Sequence, residues 1–169
     1  MSISLETLIP EIQQKANFLH PDSILENFPN APALQVGAFA KYEVQTDTIY
    51  LPEGIEKPYY YRLLFHELAH SLVHPSRLNL NSSGTFKSYP YVLEEITAEL
   101  TAIILCAKTQ QYAKNAIHHV NYINAWYKIL ARNRKKYAFS DLKKCVENAH
   151  ERVLNIVNYT EINNFIYFN

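Results

Sequence analysis

Tyr59 to His74 read Tyr-Tyr-Tyr-Arg-Leu-Leu-Phe-His-Glu-Leu-Ala-His-Ser-Leu-Val-His, and this stretch decides the fold. A proline stands directly before it and another directly after it, at positions that suit the first turn and the end of a helix. Within the predicted helix, His66, Glu67 and His70 form the pattern H-E-x-x-H. Residues four apart lie on the same face of a helix, so both imidazoles can reach one metal ion.

The pattern is typical of zinc peptidases, in which two histidines bind zinc and the glutamate is the general base for water held by the metal. It predicts His66 and His70 as zinc ligands and Glu67 as the catalytic acid and base. In that role Glu67 takes a proton from water and later delivers it to the leaving amine. The alternative is that Glu67 is an ordinary exposed helix residue. The rest of the sequence is needed to choose between these two interpretations.

A catalytic zinc normally has three protein ligands and one open position, so a third ligand is needed. His74 continues the series of His66 and His70 at the same spacing. Eight residues of helix, however, span about 12 Å along the axis, whereas zinc bonds are only about 2 Å long. His74 can therefore bind the same ion only if the helix breaks before it.

A second group of acidic residues offers a better third ligand. Glu95 and Glu99 share one face of the next predicted helix, ahead of an apolar run, and buried carboxylates are costly without a cationic partner. We predict that Glu95 binds zinc and that Glu99 accepts the outer N–H of a ligand histidine. Glu94 lies about 100° around the helix and is expected to face solvent or a substrate groove. The alternative is a solvated glutamate face without a metal.

Donors for the transition-state oxyanion, or for other substrate contacts, are less well defined by the sequence. Four candidates lie in or beside the segment that joins the two metal-binding helices, and with 13 tyrosines in the chain sequence position alone does not choose among them. They are His74, Arg77, Tyr89 and Tyr91.

Glycine and proline divide the chain into two kinds of structure. All eight prolines and all three glycines lie at or before Pro90, so the second half is predicted to be almost entirely helical. Three strand-like segments precede the motif helix, with a turn at 45–47, and three helices follow it. We predict an α+β fold in which a small N-terminal antiparallel or mixed sheet packs on the motif helix. The predicted strands are 33–36, 39–44 and 48–51, and the later helices are 91–108, 115–132 and one capped by Ser140.

Length and composition predict a single domain, 1–169, with an ordinary hydrophobic core. The net charge of zero argues against a general polyanion binder. No apolar run is long enough to cross a membrane, and the N-terminus lacks the features of a secretion signal. Cys106 and Cys145 both fall on apolar helical faces, which indicates buried thiols and a reducing, cytoplasmic location.

Several segments form a longer pattern around the motif. They are 47–52 (DTIYLP), 60–71 (YYRLLFHELAHS), 74–79 (HPSRLN), 94–95 (EE), 98–100 (AEL), 105–107 (LCA), and 122–123 (YI) with Trp126 and Leu130. Together they resemble the zincin-like metallopeptidase domain of ArdC-type antirestriction proteins, over roughly residues 30–158. That family occurs on plasmids, phages and other mobile elements, often as one module of larger polyvalent proteins.

The resemblance implies a zincin-like fold with one zinc ion per chain, bound by His66, His70 and Glu95, and with Glu67 as the catalytic acid and base. Two features depart from the family. Val73 stands where family members commonly have a glycine before the third histidine. Only about 30 residues precede the match, so the separate N-terminal domain with which full ArdC proteins bind single-stranded DNA is expected to be missing.

The leading hypothesis is a zinc-dependent metallopeptidase that hydrolyses a protein substrate in a mobile-element or host-defence context. Its peptide would pair with an edge strand beside the motif helix, either 39–44 or its neighbour.

The alternative is a non-catalytic interaction protein that keeps the metal for structure and binds a protein or DNA. Only one basic cluster favours nucleic acid, and a solvated loop explains it better. A protease that is silent until a partner docks is a third possibility. The basic cluster is Arg132, Arg134, Lys135, Lys136, Lys143 and Lys144.

Overall fold

Three short strands form one mixed sheet ahead of the helices. The computed structural model describes residues 18–80, 84–134 and 138–167, with only the backbone for 133–134 and 158–167. The strands are β1 (Ala33–Val36), β2 (Lys41–Glu43) and β3 (Thr48–Leu51), in the spatial order β1-β3-β2. β1 runs parallel to β3, whereas β2 runs antiparallel to it. β2 is therefore an edge strand, and β3 is the buried centre of the sheet.

Two residues shape the connections within the sheet. A side chain at Gly37 would place its Cβ 2.8 Å from the Cβ of Tyr50, so only glycine fits where the chain leaves β1. Asp47 has a φ of 47°, in the left-handed region that aspartate tolerates in turns. Its carboxylate accepts a hydrogen bond of 2.7 Å from the Tyr42 hydroxyl, which closes the predicted turn between β2 and β3.

The helices follow the predicted order, and the predicted α+β fold class is confirmed. The third predicted helix begins earlier than expected, because the Asn115 side chain donates to the carbonyls of Gln111 and Pro58 instead of starting the helix. Ser140 does not cap the last helix, which already begins at Ala138. The helices are α1 (Pro21–Glu26), α2 (Lys57–Ser71), α3 (Tyr89–Lys108), α4 (Tyr112–Arg134) and α5 (Ala138–Tyr167).

The motif helix α2 lies between the sheet and α3, and α3 also packs against α4 and α5. Apolar side chains from β3, α2, α3 and α5 form the main core, represented by Ile49, Phe65, Leu105 and Ile156. Because α2 is packed on two sides, the side chains of its His-Glu-x-x-His segment are fixed between the sheet and α3. Both cysteines are buried free thiols, as the sequence predicted.

No helix in the described part of the chain combines the length and the apolar character that a membrane crossing requires.

Candidate metal centre

Three side chains converge where α2 faces α3. His66 and His70 come from consecutive turns of α2, and Glu95 comes from α3. The two Nε2 atoms lie 3.1 Å apart, and the Glu95 carboxylate oxygens lie 3.6 Å from the first and 3.8 Å from the second. The possible ligand atoms of this group all lie within 4.8 Å of one another. The structure thus brings together the side chains that the sequence predicted as ligands.

The outer nitrogen of each histidine faces a carboxylate. Nδ1 of His66 donates to Glu99 at 2.7 Å, and Nδ1 of His70 donates to Glu94 at 3.0 Å. In a neutral ring that donates from Nδ1, Nε2 carries a lone pair, so two lone pairs and the Glu95 carboxylate face one another. This arrangement is repulsive unless a cation lies between the groups. The donor set of two imidazoles and one carboxylate therefore fits a divalent metal ion.

The charge balance of the centre also favours a cation. Hydrogen bonds with Glu95 and Glu99 outweigh the effect of burial and raise the pKa of His66 to about 10. A bound metal ion would replace the proton of His66, and with both histidines neutral the four carboxylates and two guanidinium groups give a formal charge of −2, which one divalent ion would neutralise. These groups are Glu67, Glu94, Glu95 and Glu99, with Arg62 and Arg152.

Glu99 joins three helices at the inner side of the centre. Its side chain is fully buried, and besides His66 it accepts two bonds from Arg62, at 3.0 and 2.8 Å, and one from His119 at 2.7 Å. Burial raises the pKa of Glu99, but the hydrogen bonds from His119 and His66 and the nearby Arg62 charge outweigh it and hold the pKa well below the ordinary value. Glu99 therefore stays a carboxylate, as its predicted role beside a ligand histidine requires.

Glu94 faces the cleft, which agrees with the expected solvent or groove position, but its partners were not predicted. It lies in the cleft wall, but its carboxylate accepts from His70 and forms two bonds with Arg152, at 2.9 and 2.7 Å. The sequence expectation that it faces solvent or a groove missed this contact, because α5 brings Arg152 to that side of α3. The consecutive residues Glu94 and Glu95 of α3 thus lie beside the two ring nitrogens of His70, Glu94 beside Nδ1 and Glu95 beside Nε2.

The centre opens into a cleft of about 440 Å³. Glu67 lines it, and residues 40–45, which contain edge strand β2, form the opposite wall. Tyr122 from α4 donates a hydrogen bond of 2.5 Å to Glu95. Burial, a hydrogen bond with Glu95 and the Glu67 charge raise the pKa of Tyr91 well above its ordinary value, so Tyr91 keeps its hydroxyl proton. Both tyrosine hydroxyls therefore stay protonated and hydrogen-bond to Glu95 inside the cleft.

The structure brings only one of the four predicted substrate or oxyanion contacts, Tyr91, to the cleft. His74 lies beyond the end of α2 and contacts Ser76 at 2.7 Å. Arg77 is used for structure: its guanidinium donates to Asp47 and to the Ser71 carbonyl. Tyr89 donates to Asp141 at 2.9 Å, outside the cleft. The chain direction after the helix and at the start of α3 separates these three side chains from the centre.

Four residues around the centre were given no role by the sequence analysis. Arg62 precedes His66 by one turn on the same helix face, and that spacing is a signal that could have identified it. The others lie on helices whose approach to the centre no local pattern encodes. They are His119 and Tyr122 from α4 and Arg152 from α5.

Comparison with known proteins gives a family match and several partial relatives. The profile of a family described as zincin-like metallopeptidase, MPTase-PolyVal, matches residues 22–140. The protein y4eC of Sinorhizobium fredii is 31% identical over 102 residues, and a DNA primase TraC of Escherichia coli is 35% identical over 94 residues. These alignments take in 59% and 54% of this chain, but only 33% and 9% of the relatives.

Among solved structures, the fold is similar to the antirestriction protein ArdC from plasmid R388. Its Mn(II)-bound structure aligns with a TM-score of 0.54 and 22% identity, covering 86% of this chain and 57% of ArdC. The metal-free structure of ArdC aligns with a TM-score of 0.53. The resemblance to the zincin-like domain of ArdC-type proteins is thereby confirmed, and the chain belongs to the zincin-like metallopeptidase family of the MPTase-PolyVal type.

Proposed function

We propose that this chain is a metal-dependent peptidase that hydrolyses peptide bonds of a protein substrate. The observation that carries the proposal is the position of Glu67, which shares an open cleft with His66, His70 and Glu95. Structural zinc sites are normally closed by four protein ligands. Within the described residues this group has three members, which leaves room for water and substrate.

His66, His70 and Glu95 would hold one ion per chain, and we propose zinc, because two imidazoles and a carboxylate are a common catalytic zinc set. The Mn(II)-bound structure of ArdC makes manganese the second candidate. A bound divalent ion would polarise the scissile carbonyl and make water at the site more acidic.

The protein side chains supply proton transfer and orientation. Glu67 would accept a proton from the attacking water and donate it to the leaving amine. Tyr91 and Tyr122 hydrogen-bond to Glu95, and we propose that, when Glu95 binds the metal, one of these hydroxyls turns to the substrate oxygen and stabilises the negative charge that develops there. The bonds of Glu99 to His66 and of Glu94 to His70 fix the two imidazole planes.

An extended peptide would pair with β2, whose other side is already bonded to β3. Because β2 contributes to the cleft wall opposite Glu67, pairing would hold the peptide across the centre. ArdC is a plasmid antirestriction protein and TraC is a DNA primase, so we propose a substrate protein from a mobile-element or host-defence context.

The test combines metal content with protease activity. Elemental analysis should find about one metal ion per wild-type chain, and Glu95→Ala should lose most of it. Glu67→Gln should keep the metal but lose proteolysis of an unfolded protein such as casein, by about a hundredfold or more. Glu56→Gln is the matched control, because Glu56 is exposed and its side chain caps nothing at the start of the same helix.

If wild-type protein holds no metal under zinc-replete or manganese-replete conditions, the proposal fails. A metal-loaded wild type that cuts no better than Glu67→Gln would instead support a non-catalytic interaction protein.

A further inference from the structure

A continuous series of aromatic rings leads from the candidate metal centre to the protein surface. The Tyr122 ring lies 5.2 Å from the His66 ring, and Trp126 follows at 6.2 Å from Tyr122. Tyr91 lies 5.5 Å from Trp126, and Phe86 lies 5.5 Å from Tyr91. We refer to Tyr122, Trp126, Tyr91 and Phe86 as the aromatic track.

The outer end of the aromatic track is unusually exposed. Phe86 is 68% exposed, although it lies against both Tyr91 and Trp126. The inner members, Tyr91 and Tyr122, line the cleft itself. The exposed ring is therefore continuous with the cleft rather than an isolated surface residue, and exposed apolar surface that adjoins a cleft is typical of a binding site.

Three members of the aromatic track form a compact cluster. Phe86 and Trp126 lie 6.2 Å apart, and each lies 5.5 Å from Tyr91, so these rings form one apolar patch beside Tyr122. In an extended chain, alternate side chains lie on one face. A peptide paired with β2, which also lines the cleft, would therefore turn one face of its side chains toward this patch.

The charge of the cleft distinguishes a peptide from a nucleic acid, whose bases also stack on aromatic rings. Four carboxylates line the cleft, and Lys41 is the one lysine or arginine among the described lining residues. Lys41 is already bonded to Glu43 at 3.1 Å. Because Lys41 is paired with Glu43, the described lining offers a phosphate backbone no unpaired lysine or arginine, so a peptide fits better than a nucleic acid. The carboxylates belong to Glu43, Glu67, Glu94 and Glu95.

We propose that the aromatic track is a specificity subsite that binds an aromatic or large aliphatic side chain of an extended peptide substrate. This inference rests on the peptidase function proposed above and names the class of substrate for the same cleft. Stacked or edge-to-face ring pairs, together with burial of the exposed Phe86 ring, supply the binding free energy.

Trp126 is the sole tryptophan of the chain, so its fluorescence reports directly on the track. Metal-loaded Glu67→Gln protein is titrated with a blocked seven-residue peptide that has phenylalanine at its third and fifth positions and alanine elsewhere. The comparison probe has alanine at every position. The phenylalanine peptide should change Trp126 fluorescence and bind about tenfold more tightly than the alanine peptide.

Phe86→Ala, made in the same Glu67→Gln background, should remove most of this tenfold preference. Phe139→Ala is the matched control, because Phe139 is 80% exposed but lies on α5, which contributes no ring to the aromatic track. Equal effects of the two substitutions, or equal binding of the two peptides, would overturn the proposal. It would also be overturned if short single-stranded oligothymidine, rather than peptide, showed the Phe86-dependent binding.

These binding measurements need no cleavage, so their failure is separable from failure of the proposed function. A wild-type protein that cleaves casein without any preference for large apolar side chains would retain the peptidase function and lose the subsite.

Discussion

The two histidines of the candidate centre are supported in contrasting ways. His66 bonds to Glu99, which is fully buried. His70 bonds to Glu94, whose side chain is 21% exposed. Arg62 and His119 hold the first carboxylate, whereas the second depends on Arg152 from the last helix.

The difference indicates that the two supporting carboxylates, Glu99 and Glu94, have separate tasks. The inner support joins α2, α3 and α4, so breaking it leaves several buried polar groups without partners. The outer support attaches α5 to the centre at its more exposed side. We expect the inner support to determine the stability of the fold and the outer support to determine chiefly how tightly the metal is held.

The largest loss of stability is expected from Glu99→Gln, which keeps the shape of the side chain but removes its charge. Arg62 is then left as a buried cation without its counter-ion, so the free energy of unfolding should fall by about 3 kcal/mol or more. Urea unfolding followed by circular dichroism measures this change. Glu151→Gln, an exposed substitution on α5, is the control. A loss below about 1 kcal/mol, as for an exposed ion pair, would show that the inner support is not the stabilising one.

Arg152→Met tests the outer support and should affect metal binding more than folding. Loss of two charged hydrogen bonds to the partly exposed Glu94 should cost about 1 to 2 kcal/mol. The less firmly oriented His70 should weaken metal affinity by about tenfold. Competition with a chromogenic chelator measures the affinity, and Lys144→Met on the same helix is the control. If Arg152→Met destabilises the fold as strongly as Glu99→Gln, the two supports are equivalent and the distinction is wrong.

The smallest effect on the free energy of unfolding is expected for Asp47, a carboxylate outside the candidate metal centre. It serves as a reference that metal binding does not affect. Partial burial raises the pKa of Asp47, but hydrogen bonds from Arg77 and Tyr42 and the Arg77 charge hold the pKa below its ordinary value of 3.8. A lowered pKa stabilises the fold fully above that ordinary value, and the stabilisation is lost as the pH falls through the folded-state pKa.

Asp47→Asn should be less stable than wild type by about 1 kcal/mol at neutral pH, because the buried Arg77 guanidinium keeps its hydrogen bonds to the Ser71 and Asn30 carbonyls. The difference should shrink in acid. Urea unfolding of both proteins at neutral and acidic pH, with chelator present throughout, checks this result. A difference that stays constant down to the lowest accessible pH would show that the charge of Asp47 contributes nothing.

Local spacing was enough to predict part of the centre. His66 and His70 are four apart on one helix, and Glu95 and Glu99 are four apart on the next, so each pair shares a face. The structure brings His66, His70 and Glu95 together and bonds Glu99 to His66. Glu94 lines the cleft, in agreement with its expected position, but its contact with Arg152 was not predicted, because the two residues are 58 apart and nothing in either sequence neighbourhood indicates the pairing.

The sequence by itself determined the α+β class, the order of sheet and helices, and the two helix faces that carry the candidate ligands. These features depend on periodicity and on proline and glycine positions, which act over a few residues. Only the tertiary structure decided which helices close around the centre. It directed His119 and Tyr122 inward from α4, brought Arg152 to Glu94, and placed edge strand β2 in the lining of the same cleft. Those contacts depend on how α3 packs against its neighbours, and packing between distant segments leaves no periodic signal in the chain.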